Sequence, residues 1–238
     1  MSNIDVADTA IQGVKIITPL YIFEDHRGIY RETWNQLDYD TVLGHPGLRE
    51  FGEGVYFVAD DISISRRNVL RGIHGDYETF KLISCLHGSF FLVVVDWRPY
   101  SPTDHQHIGI TLSDRNHLSV LVPPGCGNGH LVLSETAIFH YKQSEYYDRD
   151  GQFTIAWNDP VLGIQWPISL PPILSERDKN VPFFNTGMAN YIVVDDDATL
   201  EDIAQDVIED CDEDQEAFPG LSSGDWISYT EGDFFSDN

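Results

Sequence analysis

From residue 15 to about residue 180 the chain carries short runs rich in β-branched and aromatic residues, set apart by turn-forming residues. KIITPLYIF, GVYFVADDISIS, SFFLVVVDW, LSVLVP, AIFHYKQS and QFTIAW each have the length and composition of a strand. HPG at 45–47, RPYSPTD at 98–104 and PPGCGNG at 123–129 punctuate them. WNQLDYDTVLG is the one segment of this region that reads as a short helix, and no internal repeat is visible. Many short strands at such spacing predict an all-β jelly-roll sandwich or barrel.

Beyond Pro182 the pattern changes. Leu200, Ile203, Ala204, Val207, Ile208 and Cys211 fall on one helical stripe, and Thr199 with Asp202 resembles a helix start. The predicted organisation is a jelly-roll domain over 1–183 and an acidic, partly helical extension over 184–238. The extension reads as a solvated appendage with one docked helix, or as a partner-binding tail.

Composition sharpens this division. Hydrophobic residues make up 42% of 238 and aromatics 12%, ample for a core. The net charge is −25, but all 14 Lys and Arg lie at or before Lys179, while 16 acids follow it. Residues 1–179 therefore hold 23 acids against those 14 bases, a net of −9. Such a field disfavours nucleic acid, and an anionic ligand needs a local basic cluster. The longest apolar run, Phe90–Val95, is strand-sized, so no membrane span is expected. MSNIDVADTA lacks the basic and apolar regions of a secretory signal. Cys85, Cys126 and Cys211 are odd in number and lack CxxC spacing, which suits a reduced, cytoplasmic protein.

RGIHGD at Arg71–Asp76 is the first stretch with chemical promise. A cupin-type metal site needs several His or carboxylate ligands, yet HxH is HGD here and Asn128 stands where the later histidine would be. His105-Gln106-His107 has the HxH form but lies in a loop-like stretch without evident partners. No metal or other cofactor is expected. As a base, His74 needs an orienting carboxylate, an anion stabiliser and an opposing acid. Asp159, Lys81 and Tyr141 are candidates for these roles, though composition alone equally allows a loop histidine.

The ordered set RGIHGD, KLISCLHGSFFLVVVDWRPYSPT, VPPG, GHLVLS, FHYKQSEYYD, WNDPVLGIQWP and LSERD resembles the dTDP-4-dehydrorhamnose 3,5-epimerase family. The likeness runs from about Ile16 to Pro182, with an Asp-x-Arg-Gly element at Asp25–Gly28 near its start. It implies a metal-independent cupin jelly roll, a homodimer that exchanges N-terminal strands, and a nucleotide-diphosphate 4-keto sugar as substrate. The C4 ketone acidifies the protons on C3 and C5, so the resemblance makes His74 the base, Asp159 its partner and Tyr141 the opposing acid. Lys81 would stabilise the enolate oxygen. Arg27 and Arg71 match diphosphate- or sugar-binding arginines, and Glu32, Tyr146 and Tyr147 lie in pocket-lining motifs. Such an enzyme would serve cell-surface polysaccharide biosynthesis.

The sequence also departs from the family pattern. Ala59-Asp60-Asp61 stands in place of a QxN element, HGD in place of HYQ, and Asn128-Gly129-His130 in place of HGF. His130 thereby becomes a candidate for the sugar-binding role lost at 128. These departures resemble a branch that acts on GDP-linked 4-keto heptoses. A 3,4-ketoisomerase on the same scaffold and a non-catalytic nucleotide-sugar-binding cupin are the alternatives. Since His140 alternates with Tyr141 along one strand, it should face away from the acid.

Overall fold

The computed structural model describes residues 3–43 and 56–184. The predicted stripe at 199–211 therefore lies outside the described residues. Among the described residues, eleven strands form a sandwich of two antiparallel sheets, accompanied by a two-stranded hairpin and two short helices.

The six-stranded sheet contains β1 (Ile4–Asp8), β2 (Lys15–Pro19), β5 (Ala59–Arg66), β7 (Lys81–His87), β10 (Ser119–Val122) and β12 (Thr136–Gln143), in the order β1-β2-β10-β7-β12-β5. The five-stranded sheet contains β6 (Leu70–Gly75), β8 (Ser89–Asp96), β9 (His107–Ser113), β11 (Cys126–Val132) and β13 (Phe153–Thr154), in the order β13-β6-β11-β8-β9. A hairpin of β3 (Phe23–Asp25) and β4 (Gly28–Tyr30) stands apart from both. Helix α1 spans Gln36–Leu43 and α2 spans Glu176–Lys179.

Alternation along each strand sorts side chains between layers. Ile83, Cys85, Val120, Val122 and Phe139 meet Phe90, Leu92, Val94 and Leu112 between the sheets. From the same β8 strand, Val93 and Val95 point the other way and pack with Ile155, Leu162 and Trp166. The apolar run at Phe90–Val95 is thus buried on both faces, which explains its lack of alternation. Leu82 and Leu121 join Ile17 and Tyr39 in a third cluster on the outside of the six-stranded sheet.

Two expectations change in detail. KIITPLYIF splits into β2 and β3, and most of QFTIAW is irregular apart from β13. PPGCGNG, read above as punctuation, gives its last residues to β11. Gly72 allows that pairing: its φ is +114°, and a Cβ there would stand 2.6 Å from the Gly129 Cα. Only a bare backbone permits such approach. No helix among the described residues is long and apolar enough to cross a membrane.

Candidate active site

β6 and β12 belong to opposite sheets, and they bring His74 and Tyr141 into the lining of one cavity. Its volume is about 860 Å³, and Arg71, Lys81, Asn128, His130 and Tyr147 line it as well. Seven of the eleven sequence-predicted residues therefore share one space.

His74 Nε2 lies 2.7 Å from Oδ1 of Asp178, a carboxylate whose side chain is only 2% exposed. Asp178 sits in α2 and is fixed from several directions. Ser175, the N-cap, donates its hydroxyl to Oδ2 at 2.8 Å and accepts from the Asp178 amide at 3.2 Å. Burial alone would raise the Asp178 pKa, but hydrogen bonds from His74, Ser175 and the Gly72 amide prevail and hold it below the usual carboxylate value. An ionised carboxylate thus orients the imidazole, leaving the second ring nitrogen able to accept a proton.

This corrects the expected role of Asp159. Asp159 is buried, and its oxygens accept from the backbone amides of Val161, Leu162 and Phe184 at 2.8, 3.4 and 2.5 Å. It ties down the loop that covers the outer face of the five-stranded sheet, and it does not line the cavity with His74.

Lys81 and Tyr141 both come from the six-stranded sheet. Lys81 pairs across from Gln143, two residues along β12 from Tyr141, so the two side chains share the inward face. Burial lowers the Lys81 pKa; Asp76 pushes it back up and Arg177 adds to the lowering. Burial raises the Tyr141 pKa, with Asp61 and Tyr147 adding to the rise and Arg71 opposing it. The phenol therefore stays protonated near neutrality. Arg71 spends its Nε on the Ser65 hydroxyl at 3.2 Å.

His130 is 3% exposed and stacks on Phe139 at 4.1 Å with an interplanar angle of 10°. Its burial, with Arg71 and His74 nearby opposing a further positive charge, lowers its pKa to about 3. The ring is neutral at any working pH, and Nε2 has no hydrogen-bond partner. Asn128 Oδ1 and Ser63 Oγ, in the same lining, are likewise buried without partners. Buried polar atoms left unpaired are rare, and three around one cavity mark where a polar ligand is received.

The remaining predicted residues lie elsewhere on the single chain. Arg27 is in the β3–β4 hairpin, where Asp25 holds its guanidinium. Glu32 accepts from Asn35 and lines a separate cavity of about 250 Å³. Tyr146 is 78% exposed and lines a neighbouring groove beside Asp76 and Tyr147. His140 faces away from the main cavity, bonded to Ser84 at 2.8 Å and Asp60 at 2.6 Å. Among the described residues, no three His, Cys, Asp or Glu side chains cluster to hold a metal ion.

Sequence reasoning missed Asp178 and Arg177. Arg177 lines the cavity while Thr154 and Gln152 hold its guanidinium. Both residues stand in LSERD, and the serine with an acid three residues later is a helix-capping signature that could have placed them on a fixed turn.

The model of the dTDP-4-dehydrorhamnose 3,5-epimerase family matches residues 8–186. The dTDP-4-dehydrorhamnose 3,5-epimerase of Salmonella typhimurium is 38% identical over 186 residues, covering 77% of this chain and 97% of its own. The crystal structure of the Elizabethkingia anophelis enzyme of that name superposes with a TM-score of 0.68 at 37% identity, covering 79% of this chain and 100% of its own. A Legionella pneumophila dTDP-6-deoxy-D-glucose-3,5-epimerase, solved with dTDP-4-keto-L-rhamnose, gives a TM-score of 0.67 at 36% identity, covering 74% and 90% respectively.

Proposed function

The chain belongs to the dTDP-4-dehydrorhamnose 3,5-epimerase family of isomerases, and on that premise we propose that it inverts C3, C5 or both in a nucleotide-linked 4-keto sugar. The observation that carries this is the oriented pair His74–Asp178 on one side of the cavity, with Tyr141 and Lys81 entering from the opposite sheet.

In the proposed reaction, His74 takes a proton from a carbon next to the C4 ketone. The C–H electron pair becomes the enolate, whose oxygen gains charge beside the Lys81 ammonium, where a pre-placed cation is most effective. Tyr141 then returns a proton to that carbon from the other face, and the centre is inverted. The partnerless atoms of Asn128, His130 and Ser63 suit the hydroxyl groups of the sugar. Arg71, Arg177 and Tyr147 suit the diphosphate and the base.

Arg27 and Glu32 fit this scheme through a second copy of the chain. Leu20, Tyr21, Phe23, Ile29 and Tyr30 are 54–71% exposed in and beside the β3–β4 hairpin, a large apolar surface for a lone molecule. A homodimer in which this arm reaches the partner's cavity would bury it and deliver both side chains. The buried, unpaired thiols of Cys85 and Cys126 accord with a cytoplasmic site of action.

Incubation with dTDP-4-keto-L-rhamnose in deuterated water tests the proposal. Deuterium should enter C3 or C5, and tight binding of the nucleotide sugar without any exchange would leave only the non-catalytic alternative. A thermal-shift comparison of dTDP, GDP, UDP and CDP identifies the base, since the preferred nucleotide raises the melting temperature most.

A further inference from the structure

The aspartate of RGIHGD has two jobs in the fold. Asp76 Oδ1 accepts from the amides of Glu78 and Thr79 at 3.0 and 2.6 Å, closing the turn between β6 and β7. The Gly125 amide donates to its backbone carbonyl at 2.7 Å. Its other oxygen, Oδ2, is thereby aimed at Lys81 Nζ, 3.9 Å away, with only 14% of the Asp76 side chain and 8% of that of Lys81 exposed.

The surroundings of Lys81 otherwise favour its neutral form. Burial opposes the ammonium, and Arg177 on α2 repels it. The other ionisable groups lining the cavity are His74 and Arg71 on β6, Asp61 and Arg66 on β5, His130 on β11, Tyr141 on β12, Tyr147 beyond it, and Asp178 on α2. Asp178 is engaged by His74 and Ser175, and Gln143 holds Asp61 at 3.0 Å. Asp76 is the one acid within salt-bridge distance of Lys81 among the described residues.

We propose that Asp76 is a positioning residue that keeps the buried Lys81 protonated, and so extends epimerisation to alkaline pH. This rests on the epimerase reading for its catalytic consequence but not for its electrostatics. Asp76→Asn is the decisive variant, because the amide oxygen can still accept from Glu78 and Thr79 while the charge is gone.

Two measurements keep the inference separate from the reading beneath it. The chain has only four lysines, Lys15, Lys81, Lys142 and Lys179. The 13Cε resonance of Lys81, assigned by its loss in Lys81→Met, therefore reports that group's titration without any turnover. In Asp76→Asn its midpoint should fall by about one pH unit or more, and Asp76→Glu should restore it. An unmoved midpoint overturns the proposal. Deuterium exchange into dTDP-4-keto-L-rhamnose should show the alkaline limb of the rate moving down with it. At the pH of the wild-type limb the variant should lose roughly ten-fold, with KM altered less than about two-fold. A lowered melting temperature with an unchanged pH profile would assign Asp76 to the turn alone and refute the role. Absence of exchange in the wild-type protein counts against the epimerase reading, while the resonance still decides the fate of Asp76.

Discussion

Replacing Asp178 with asparagine separates the carboxylate that the structure assigns to His74 from the one the sequence suggested. The bond from His74 Nε2 is 2.7 Å long and its acceptor is almost wholly buried. A hydrogen bond to a charged group under such conditions contributes about 1.5–3 kcal/mol, or roughly 10- to 150-fold in rate if it is lost only in the transition state. The asparagine amide adds a second loss. Turned toward the ring, its NH₂ would donate to Nε2 and drive the proton onto the nitrogen that must act as base. The corresponding change in a Ser-His-Asp triad costs about 10⁴-fold. We therefore expect kcat for deuterium exchange to drop between about 10² and 10⁴-fold, with little change in KM.

The fold should tolerate this change. Asparagine is isosteric, and the Ser175 cap to the residue-178 amide remains. Asp159→Asn should behave in the opposite way. It disturbs an oxygen pair that binds three backbone amides, so stability should fall by about 1–3 kcal/mol while exchange per folded molecule stays near wild type. Denaturant titration and single-turnover exchange on both variants give the comparison. Exchange by Asp178→Asn within three-fold of wild type, or a chemical defect confined to Asp159→Asn, would refute the assignment.

Three further outcomes follow from the structure. His130→Phe retains the stacking on Phe139 and removes the partnerless Nε2, so the free protein should gain up to about 1 kcal/mol while affinity for the nucleotide sugar falls; equal or tighter binding would exclude a sugar contact there. Burial would raise the Asp96 pKa, but bonds from Arg98, Ser101 and Thr103 outweigh it and hold it at about 2. Its folded value lies below the unfolded one, so its contribution of about 2 kcal/mol is complete above roughly pH 4 and is lost as pH falls towards 2; Asp96→Asn should flatten that part of the stability curve in acid titrations. Leu92→Ala, at a fully buried position between the sheets, should cost about 2–5 kcal/mol by denaturant unfolding without altering the pH profile of exchange.

Part of the site was legible: the run AIFHYKQS reads as a strand, and the chemistry of the cavity stands in recognisable motifs. Tyr141 lies on that strand, where alternation alone set it and His140 on opposite faces, whereas His74 and Lys81 stood out by their motifs and not by their strands. β6 and β11 were harder to see, since their glycines lower strand propensity while permitting the close backbone pairing that places Asn128 across from His74. Asp178 escaped for a different reason. Its segment is irregular apart from one turn of helix, and it reaches His74 across 104 residues of chain, which no local periodicity can signal.

The same distinction bears on how the site works. The groups proposed to exchange a proton or meet developing charge sit on strands, where neighbours on both sides fix their direction. The carboxylates that tune them, Asp178 for His74 and Asp76 for Lys81, sit in turns whose backbone amides or capping hydroxyl hold them in place. An amide oxygen at position 76 could still accept the two amides that close the turn, so the charge of Asp76 is separable from the sheet. The charge that faces Lys81 can therefore change while the strands that carry His74, Lys81 and Tyr141 stay the same.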